Sequence, residues 1–423
     1  MNVLVVGSGG REHAICLSFS KSEKVSKIFC SPGNAGIASI AECAPIAADD
    51  VKALAQFALS REVGLTFVGG ETSLALGIVD EFQQHGLKAV GPSKAAARLE
   101  SSKAFAKDFM ARHGIPTAKY VTAHSPGFAV LELESGDFGD ASKPVVVKAD
   151  GLAAGKGVVI AKDRDEAVRA INGLSSSVGT AAADKIVLEE CLFGKEVSLL
   201  MFCDGEHFAL MPATRDHKRI GEGDTGPNTG GMGTFTDSAL LSGDKLGEIA
   251  ERIIKPTLRG CKKEDMPFRG VLFLGLMMTA EGPKLLEYNV RFGDPETQSI
   301  MVRLETDLVD ICEAIAEGNL SGMEIKWRPG NSATVVLAAE GYPQAPQKGD
   351  VISGLDDAAK LDNVTIFHAG TARDADGSIV TAGGRVIGVT ALGESLEIAL
   401  DRAYNAVEMI SWPGMQFRRD IGR

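Results

Sequence analysis

The chain has 423 residues, enough for two to four domains at about 100 to 200 residues each. Its 44 Lys and Arg against 56 Asp and Glu give a formal net charge of −12, whereas proteins that bind nucleic acid or membrane surfaces normally carry a basic excess. Seven cysteines without C-x-x-C spacing exclude a zinc ribbon and disfavour a disulfide framework. Neither a basic leader nor an apolar run of about 20 residues is visible, so we expect a cytoplasmic protein that binds neither nucleic acid nor membranes.

The first hundred residues alternate short apolar runs with helical patterns. Strands are predicted at 3–6, 27–30, 65–68 and 88–90, and helices at 11–22, 50–61 and 72–85. Such alternation is typical of a parallel sheet covered by helices on both faces. We therefore predict a doubly wound N-terminal domain over residues 1–102.

A glycine-rich turn at residues 7–10 follows the first strand and opens a helix, where backbone N–H groups can hold an anion. Glu12 stands where a dinucleotide fingerprint needs its third glycine, and no acidic residue ends the second strand, so NAD is not expected. Arg11 beside the helix start favours a phosphate-bearing ligand. A tight turn without a ligand is the alternative.

The middle of the chain mixes strands, helices and hairpins. Helices are predicted at 94–112, 165–174, 238–260, 295–303 and 307–317, and strands at 144–149, 158–161 and 185–190. Hairpins are predicted around Asp204-Gly205 and Glu281-Gly282. Residues 213–236 hold six glycines without a hydrophobic period and are predicted to form a long functional loop.

Residues 148–157 have the composition of a phosphate loop without the Walker spacing. Three residues rather than four separate Gly151 from the Gly155-Lys156 pair, and a strand follows instead of a helix. Two strands joined by such a loop would lay a flap over a nucleotide, and its lysines and backbone N–H groups would neutralise phosphate. A hairpin with solvated lysines is the alternative.

Glu287, Asn289 and Arg291 alternate along a predicted strand and therefore share one face. Carboxylate and amide oxygens suit Mg²⁺ that shares its shell with nucleotide phosphates, and Arg291 would clamp a phosphoryl or carboxylate group. A polar strand surface facing solvent is the alternative. Asp294 either belongs to this site or only caps a helix that begins at Pro295.

The predicted loop begins with Asp216, His217, Lys218 and Arg219 and continues through the glycines up to residue 233. Basic side chains beside exposed backbone donors can hold an anionic substrate or a developing acyl phosphate. A solvated run of charges is the alternative.

Residues 327–423 are predicted to form a small C-terminal α+β domain. Its strands are expected at 333–339, 365–369 and 386–390, and an amphipathic helix at 396–410. This domain shows no obvious catalytic cluster.

Taken together, these motifs resemble the phosphoribosylamine-glycine ligase family of the ATP-grasp superfamily. The resemblance runs from residue 3 to residue 422, and its most specific pieces are residues 148–157, 216–219, 226–233 and 291–298. The family pattern has prolines where Gly70 and Ser73 stand, so the resemblance does not extend to the rigidity of that loop. The resemblance implies a doubly wound N-terminal domain, a central ATP-grasp domain over 103–326 with a flap at about 121–190, and a small C-terminal domain over 327–423.

The resemblance also implies roles for individual residues. The ATP contacts would be Lys103, Lys148, Gly155, Lys156, Gly157, Glu196 and, at adenosine, one of Glu189 and Glu190. The sugar phosphate and the substrate would meet Gly9, Arg11, Asn34, Asn228, Gly230 and Gly231. Glu287 and Asn289 would hold Mg²⁺ or Mn²⁺. The reacting groups would be surrounded by Lys148, Asp216, Lys218, Arg219, Arg291 and Asp294.

The implied activity is ATP-dependent ligation of glycine to 5-phosphoribosylamine through glycyl phosphate, a step of de novo purine biosynthesis. The expected partners are these small molecules, and the chain is expected to be a monomer or a weak homo-oligomer. Another ATP-grasp carboxylate-amine ligase would differ in the 216–233 loop and at the N-terminal anion site. A non-catalytic nucleotide sensor would have no reason to keep Arg291 and Asp294 beside the metal.

Overall fold

A computed structural model describes residues 1–152, 157–178 and 185–423, except the side chains of 175–178. The N-terminal sheet is parallel, in the order β3-β2-β1-β4-β5. Its strands are β1 (Asn2–Gly7), β2 (Lys27–Pro32), β3 (Glu42–Cys43), β4 (Val63–Val68) and β5 (Ala89–Val90). Its helices are α1 (Gly10–Phe19), α2 (Val51–Ser60), α3 (Glu71–Leu76) and α4 (Ile78–Gln84).

Alternate residues of β1 pack on opposite faces of this sheet. Val3 and Val5 join a core cluster with α1, whereas Leu4 and Val6 join another cluster with α2. Because both faces are covered, the central strand is a continuous apolar run, as parallel sheets require. The predicted doubly wound domain is confirmed. The two-residue strand β3 was not predicted, since so short a segment carries no periodic signal.

The helix predicted over 94–112 is broken into α5 (Lys94–Ser101) and α6 (Lys103–Arg112). Ser102 has extended backbone angles, and its Oγ accepts a hydrogen bond from Phe105 N at 3.1 Å. Asp150 accepts from Ser102 Oγ at 3.2 Å and from Ala104 N at 3.1 Å. The break results from this distant carboxylate, and it places Lys103 at the start of α6 beside the glycine loop.

An antiparallel sheet in the order β6-β9-β7-β8 forms the flap region. Its elements are β6 (Tyr120–Ala123), α7 (Pro126–Glu134), β7 (Val145–Ala149), β8 (Val158–Ala161), α8 (Arg164–Val178) and β9 (Ile186–Glu190). Lys148 of β7 lies opposite Val158 of β8, so two paired strands flank the glycine loop as predicted. Gly155 and Lys156 lie outside the described residues.

A second large sheet joins the rest of the central domain to the C-terminal domain, in the order β17-β16-β10-β12-β15-β18-β22-β19, with β11 paired to β10. Its central-domain strands are β10 (Lys195–Asp204), β11 (Phe208–Leu210), β12 (Thr214–Asp216), β15 (Gly233–Thr236), β16 (Arg269–Thr279) and β17 (Gly282–Asn289). A separate hairpin comprises β13 (Arg219–Gly221) and β14 (Thr225–Asn228). Both predicted hairpins are confirmed. The unbroken loop predicted over 213–236 is wrong, because four strands of three or four residues escape periodicity.

The helices of this half are α9 (Gly243–Ile249) and α10 (Lys255–Lys263), joined by a π-helical turn, then α11 (Glu296–Met301) and α12 (Leu308–Glu317). The C-terminal elements are β18 (Asn331–Ala338), α13 (Leu355–Ala358), β19 (Val364–His368), β20 (Thr371–Arg373), β21 (Ile379–Thr381), β22 (Arg385–Gly393) and α14 (Leu396–Val407). β18 pairs with β15, so the sheet continues across the domain boundary predicted at 327. None of the described helices is both long enough and apolar enough to span a lipid bilayer.

Two buried histidines join the N-terminal domain to the C-terminal domain. His13 Nδ1 of α1 accepts a hydrogen bond from His368 N at 2.8 Å, and the two rings lie 5.6 Å apart. Burial lowers the pKa of His13 to about 3 and that of His368 to about 4. The unfolded chain therefore binds more protons than the folded chain between about pH 6.5 and pH 4, so stability falls as the pH drops through this range.

We expect the two histidines together to lower the free energy of unfolding by roughly 3 kcal/mol between pH 6.5 and pH 5. His13→Gln should remove about half of this acid dependence, whereas His124→Gln, at an exposed position, should retain it. Denaturant titrations across this pH range measure the effect. An acid slope in His13→Gln equal to that of the unaltered chain would contradict the assignment.

Candidate active site

The predicted nucleotide residues converge where the flap sheet faces the edge strand β17. Lys103 Nζ donates to Gly151 O at 2.8 Å, which ties α6 to the glycine loop. Lys148 Nζ lies 3.4 Å from Leu286 O, so the flap strand β7 reaches β17 beside Glu287. Gly157 O accepts from Ala149 N at 2.8 Å and closes the hairpin that carries the loop. Residues separated by up to 184 positions thus form one cleft.

A buried triad of two lysines and one glutamate lies at the centre of this cleft. Glu189 Oε1 is 2.7 Å from Lys148 Nζ, and Glu189 Oε2 is 2.9 Å from Lys107 Nζ. Burial lowers the pKa of Lys107 to about 8 despite the attraction of Glu189. The carboxylate of Glu189 thus holds Lys148 in place, whereas Glu190 Oε1 accepts from Lys119 N at 2.8 Å. Which of the two glutamates contacts adenosine stays a prediction.

Lys107→Met should destabilise the fold by about 3 kcal/mol, because it leaves the buried Glu189 with one cationic partner instead of two. The matched control is Lys119→Met, whose side chain is 55% exposed and lies 3.6 Å from Asp137. Surface pairs of this kind contribute little, so the control should change stability by less than about 0.5 kcal/mol. Equal effects in denaturant unfolding would show that the triad contributes nothing beyond an exposed pair.

Glu287 faces a cluster of ammonium groups. Burial alone would raise the pKa of Glu287, but Lys218, Lys148 and Lys103 together lower it, so the carboxylate is ionised at neutral pH. Lys218 Nζ lies 2.9 Å from Glu196 Oε2, which brings a second predicted ATP contact to the same cleft. An anion among three cations is the charge pattern expected where metal and phosphate groups bind together.

The donor set at β17 suits a metal that shares its shell with a nucleotide. Within the described ranges, no group of three or more His, Cys, Asp or Glu side chains is arranged to hold a metal ion alone. Glu287 offers carboxylate oxygens, and Asn289 Oδ1, which accepts from Arg291 Nη2 at 3.1 Å, offers an amide oxygen. Mg²⁺ commonly takes one or two protein oxygens and completes its shell with phosphate oxygens and water. The residues present fit that role.

Arg291 bridges two carboxylates of the N-terminal half. Its Nη2 lies 2.7 Å from Glu100 Oε1, and its Nε lies 3.3 Å from Glu71 Oε2. Burial opposes the ionisation of Glu71, but Arg291 and Arg11 lower its pKa to about 2, whereas burial prevails at Glu100 and raises its pKa. The predicted phosphoryl clamp is therefore held by internal partners that sequence reasoning missed.

The loop with the two departures from the family pattern is held by ordinary contacts. Gly70 has extended backbone angles and precedes α3, which starts at Glu71. The buried Ser73 donates its hydroxyl to Ala48 O, a bond that proline cannot form. Arg291 holds Glu71 at the start of the same helix. Several hydrogen bonds thus fix this loop.

The start of α1 faces carboxylates of the chain itself. Gly9 N donates to Glu12 Oε2 at 2.6 Å, Arg11 Nε lies 2.6 Å from Glu12 Oε1, and Arg11 N lies 3.4 Å from Asp294 Oδ2. Glu12 fits because Gly69 lacks a side chain, since a Cβ there would stand 2.1 Å from Glu12 Oε1. Asn34 Nδ2 donates to Ser8 O and His368 O, both at 2.8 Å. The sugar-phosphate roles of Gly9, Arg11 and Asn34 stay predictions.

Asp294 is not the cap of the helix that follows it. Helix α11 begins at Glu296 after Pro295, and no side chain among the described residues caps it. Asp294 Oδ1 accepts instead from Gln298 Nε2 at 2.7 Å, while Oδ2 faces Arg11 N. Burial opposes its ionisation, but Arg385 and Arg11 lower the pKa of Asp294. The simple capping alternative is therefore wrong.

Arg385, at the start of β22, brings the C-terminal domain into the site. Its Nη1 donates to Gly230 O at 2.6 Å and to Asp294 O, and its Nη2 lies 3.6 Å from Asp294 Oδ2. Gly230 N donates to Tyr342 Oη at 3.0 Å, a second contact from the same domain. The sequence showed no catalytic cluster there. The available signal was the glycine pair directly before Arg385, which allows close backbone approach.

Asp216 is a buried carboxylate beside the glycine segment. Its Oδ1 has no hydrogen-bond partner among the described residues, and a Cβ on Gly231 would stand 2.7 Å from that oxygen. Burial and the nearby Glu296 raise the pKa of Asp216 well above the usual carboxyl range. Arg219 and Asn228 lie opposite each other in the β13–β14 hairpin, where Arg219 Nη1 donates to Gly226 O at 2.7 Å. These two residues are held within the hairpin and are not drawn into the lysine cluster.

The flap sheet, the lysine cleft and the edge strand bearing Glu287 define an ATP-grasp enzyme. The family model described as "Phosphoribosylglycinamide synthetase, ATP-grasp (A) domain" matches residues 101–297, and the N and C domain models of the same synthetase match residues 1–100 and 332–423. The chain belongs to the phosphoribosylglycinamide synthetase family.

Full-length relatives and solved structures agree with this assignment. The chain is 44% identical to phosphoribosylamine-glycine ligase of Brucella melitensis and 46% identical to that of Xanthomonas axonopodis pv. citri. Each alignment covers 100% of this chain and 97% of the relative. The crystal structure of phosphoribosylamine-glycine ligase from Thermotoga maritima superposes with a TM-score of 0.85 at 35% identity, covering 100% of both chains. Biotin carboxylase from Campylobacter jejuni shares the fold. It superposes with a TM-score of 0.71 at 16% identity, covering 98% of this chain and 92% of the carboxylase chain.

Proposed function

We propose that this chain ligates glycine to 5-phosphoribosylamine and converts ATP to ADP and phosphate, a step of purine biosynthesis. The observation that carries the proposal is that the ionised Glu287 lies among Lys103, Lys148 and Lys218. The chain is also related over its full length to proteins named phosphoribosylamine-glycine ligase. We place the protein in the cytoplasm as a monomer or weak homo-oligomer that acts on small molecules and not on nucleic acid. Three domains, 1–102, 103–326 and 327–423, supply the groups that meet at the cleft.

The reaction proceeds in two displacements between bound partners. A carboxylate oxygen of glycine attacks the γ-phosphorus of ATP, the bond to the β-phosphate oxygen breaks, and glycyl phosphate and ADP form. The amine of phosphoribosylamine then attacks the acyl carbon, and phosphate leaves. The protein supplies positioning and charge neutralisation and no covalent nucleophile.

Lys103 and Lys148 would neutralise the phosphates of ATP. Their contacts with Gly151 and Glu189, which bring both ammonium groups to the cleft, support this assignment. Glu287 and Asn289 would hold Mg²⁺ or Mn²⁺, which supplies charge stabilisation at the phosphate oxygens when bound. Gly155, Lys156 and Gly157 would cover the nucleotide, and Glu196 would face it. Their ATP contacts are proposals that rest on the family resemblance.

The amine and its sugar phosphate are assigned to the opposite end of the cleft. Arg385, Asp294 and the backbone of Gly230 form one hydrogen-bonded group there. Asp216 Oδ1, which has no hydrogen-bond partner within the part of the chain that the structure describes, lies beside Gly231. This oxygen is suited to form a hydrogen bond with a polar group of a substrate. Gly9, Arg11, Asn34, Lys218, Arg219, Asn228 and Arg291 complete the proposed surroundings of the substrates.

ADP release tests the proposal when glycine and phosphoribosylamine are supplied together and singly. We expect sustained release only with both substrates, because the acyl phosphate needs the amine to turn over. Release that requires a different carboxylate or a different amine would indicate another ATP-grasp ligase. ATP binding without any turnover would indicate a nucleotide sensor and would contradict the proposed function.

A further inference from the structure

Residues 418–422, close to the last residue of the chain, form a segment that we call the C-terminal clamp. It contacts residues 216–233, here called the substrate loop, although almost 200 positions separate them. Arg418 is 1% exposed, and its Nε and Nη2 lie 2.7 Å from Asp420 Oδ1 and Oδ2. Its Nη1 reaches the loop, donating to Arg219 O at 3.1 Å and to Asp224 Oδ1 at 2.7 Å. The guanidinium thus fastens the β13–β14 hairpin at its first residue and at its tip.

Further contacts hold both ends of the substrate loop. Asp420 Oδ2 accepts from Gly223 N at 2.8 Å, and Gly422 N lies 3.3 Å from His217 Nε2. The buried Ile421 packs on Gly233, where an added Cβ would stand 2.7 Å from Ile421 Cδ1. The clamp therefore contacts the substrate loop near its start, at the tip of its hairpin and at its end.

The clamp is itself anchored to the C-terminal domain. Tyr404 of α14 donates its hydroxyl to Arg418 O at 2.9 Å, and Tyr404 Oη accepts from Ile421 N at 3.2 Å. Helix α14 packs on β18 and β22, the strand that begins with Arg385. Contacts within the C-terminal domain thus connect the strand of Arg385 to the clamp that holds the substrate loop.

A hairpin of three- and four-residue strands is marginal alone, so its position depends on outside contacts. The same loop carries Asp216, Lys218 and the backbone of Gly230, which face the cleft. Arg418 suits this task because its planar fork holds Asp420 through two bonds while a third nitrogen remains for the loop. None of its described contacts is with a residue of the lysine cluster.

We propose that Arg418 is a positioning residue that holds the substrate loop in reactive geometry without touching substrate. The kinetic test of this inference rests on the proposed function. The hydrogen-exchange test rests on the structure alone. Displacement of positioned groups by about 1 Å can reduce turnover about 100-fold even when the change lies far from the reacting atoms. The triad of Lys107, Lys148 and Glu189 lies on other elements, and among the cleft lysines only Lys218 belongs to the substrate loop. Nucleotide affinity should therefore depend little on the clamp.

The test compares Arg418→Lys with Lys360→Gln, which changes a cation of the same domain that is 73% exposed and pairs with Asp357, outside the clamp and the substrate loop. Arg418→Lys keeps the charge and loses the fork, and should lower kcat/KM for glycine and phosphoribosylamine about 100-fold. Its Kd for ATP should stay within about twofold, since the triad is untouched. Amide hydrogen exchange over residues 217–230 should accelerate while that of the flap sheet is unchanged. Lys360→Gln should match the unaltered chain in all three measurements.

A second variant covers the case in which Arg418→Lys fails to fold. Asp224→Asn alters one contact of Arg418 at a side chain that is 60% exposed, and should show a smaller loss with the same exchange pattern. Normal kcat/KM despite accelerated exchange, unchanged exchange, or an equal loss of ATP affinity would each overturn the proposal. If the unaltered protein released no ADP with both substrates, the proposed function would fail, while the exchange measurement would still decide whether the clamp holds the loop.

Discussion

Glu287→Gln should lower Mg²⁺-dependent turnover by at least about 1000-fold and leave the fold intact. The change keeps the volume of the side chain and removes the only charge that it brings to the metal. Three lysines surround this carboxylate, so metal-free ATP should bind the variant at least as well as it binds the unaltered chain. ADP release across a Mg²⁺ titration and ATP binding in the presence of a chelator separate the two effects.

The matched control is Glu281→Gln, in the turn before the same strand, where the side chain is 78% exposed and pairs with Lys284 at 3.0 Å. This variant should retain normal turnover. Near-normal activity of Glu287→Gln at ordinary Mg²⁺ concentrations would place the metal elsewhere. Loss of ATP binding without metal would mean that Glu287 acts by shaping the cleft.

Lys148→Met should slow formation of the acyl phosphate by about 1000-fold, with the KM for glycine changed by no more than about threefold. An ammonium group acts on charge that spreads over the phosphoryl oxygens and contributes little to binding a small amino acid. Single-turnover measurements of ADP formation, at saturating ATP and varied glycine, give both quantities.

Lys107→Met is the control for this variant, because Lys107 and Lys148 pair with the two oxygens of the same carboxylate. Both variants remove one ion pair from Glu189, and only Lys148→Met removes the proposed phosphate contact. The excess loss in Lys148→Met therefore measures that contact. Equal losses in the two variants would assign the whole effect to the ion pairs and contradict a direct role for Lys148.

Local patterns predicted the parts of the site that depend on neighbouring residues. The glycine loop between β7 and β8 and the hairpin that carries Glu287 follow from strand periodicity and glycine turns. The family resemblance then supplied the expected roles of Lys103, Lys148 and Glu287. The helix break at Ser102 was not predicted, because Asp150 forms it from 48 positions away.

The missed residues all act across long separations. Arg291 meets Glu100 and Glu71 at separations of 191 and 220 positions, and Arg385 reaches Gly230 from 155 positions away. One sequence carries no periodic signal for such pairs, since they arise from how the sheets pack.

The central claim is that glycine is phosphorylated before the amine attacks, and ¹⁸O in the glycine carboxylate tests it most directly. One carboxylate oxygen bonds to phosphorus and leaves with the phosphate, while the other remains in the carbonyl of the amide. The account predicts one labelled oxygen in the released phosphate and one in the product for each turnover. Unlabelled phosphate accompanying amide formation would show that the carboxylate was never phosphorylated and would contradict the account.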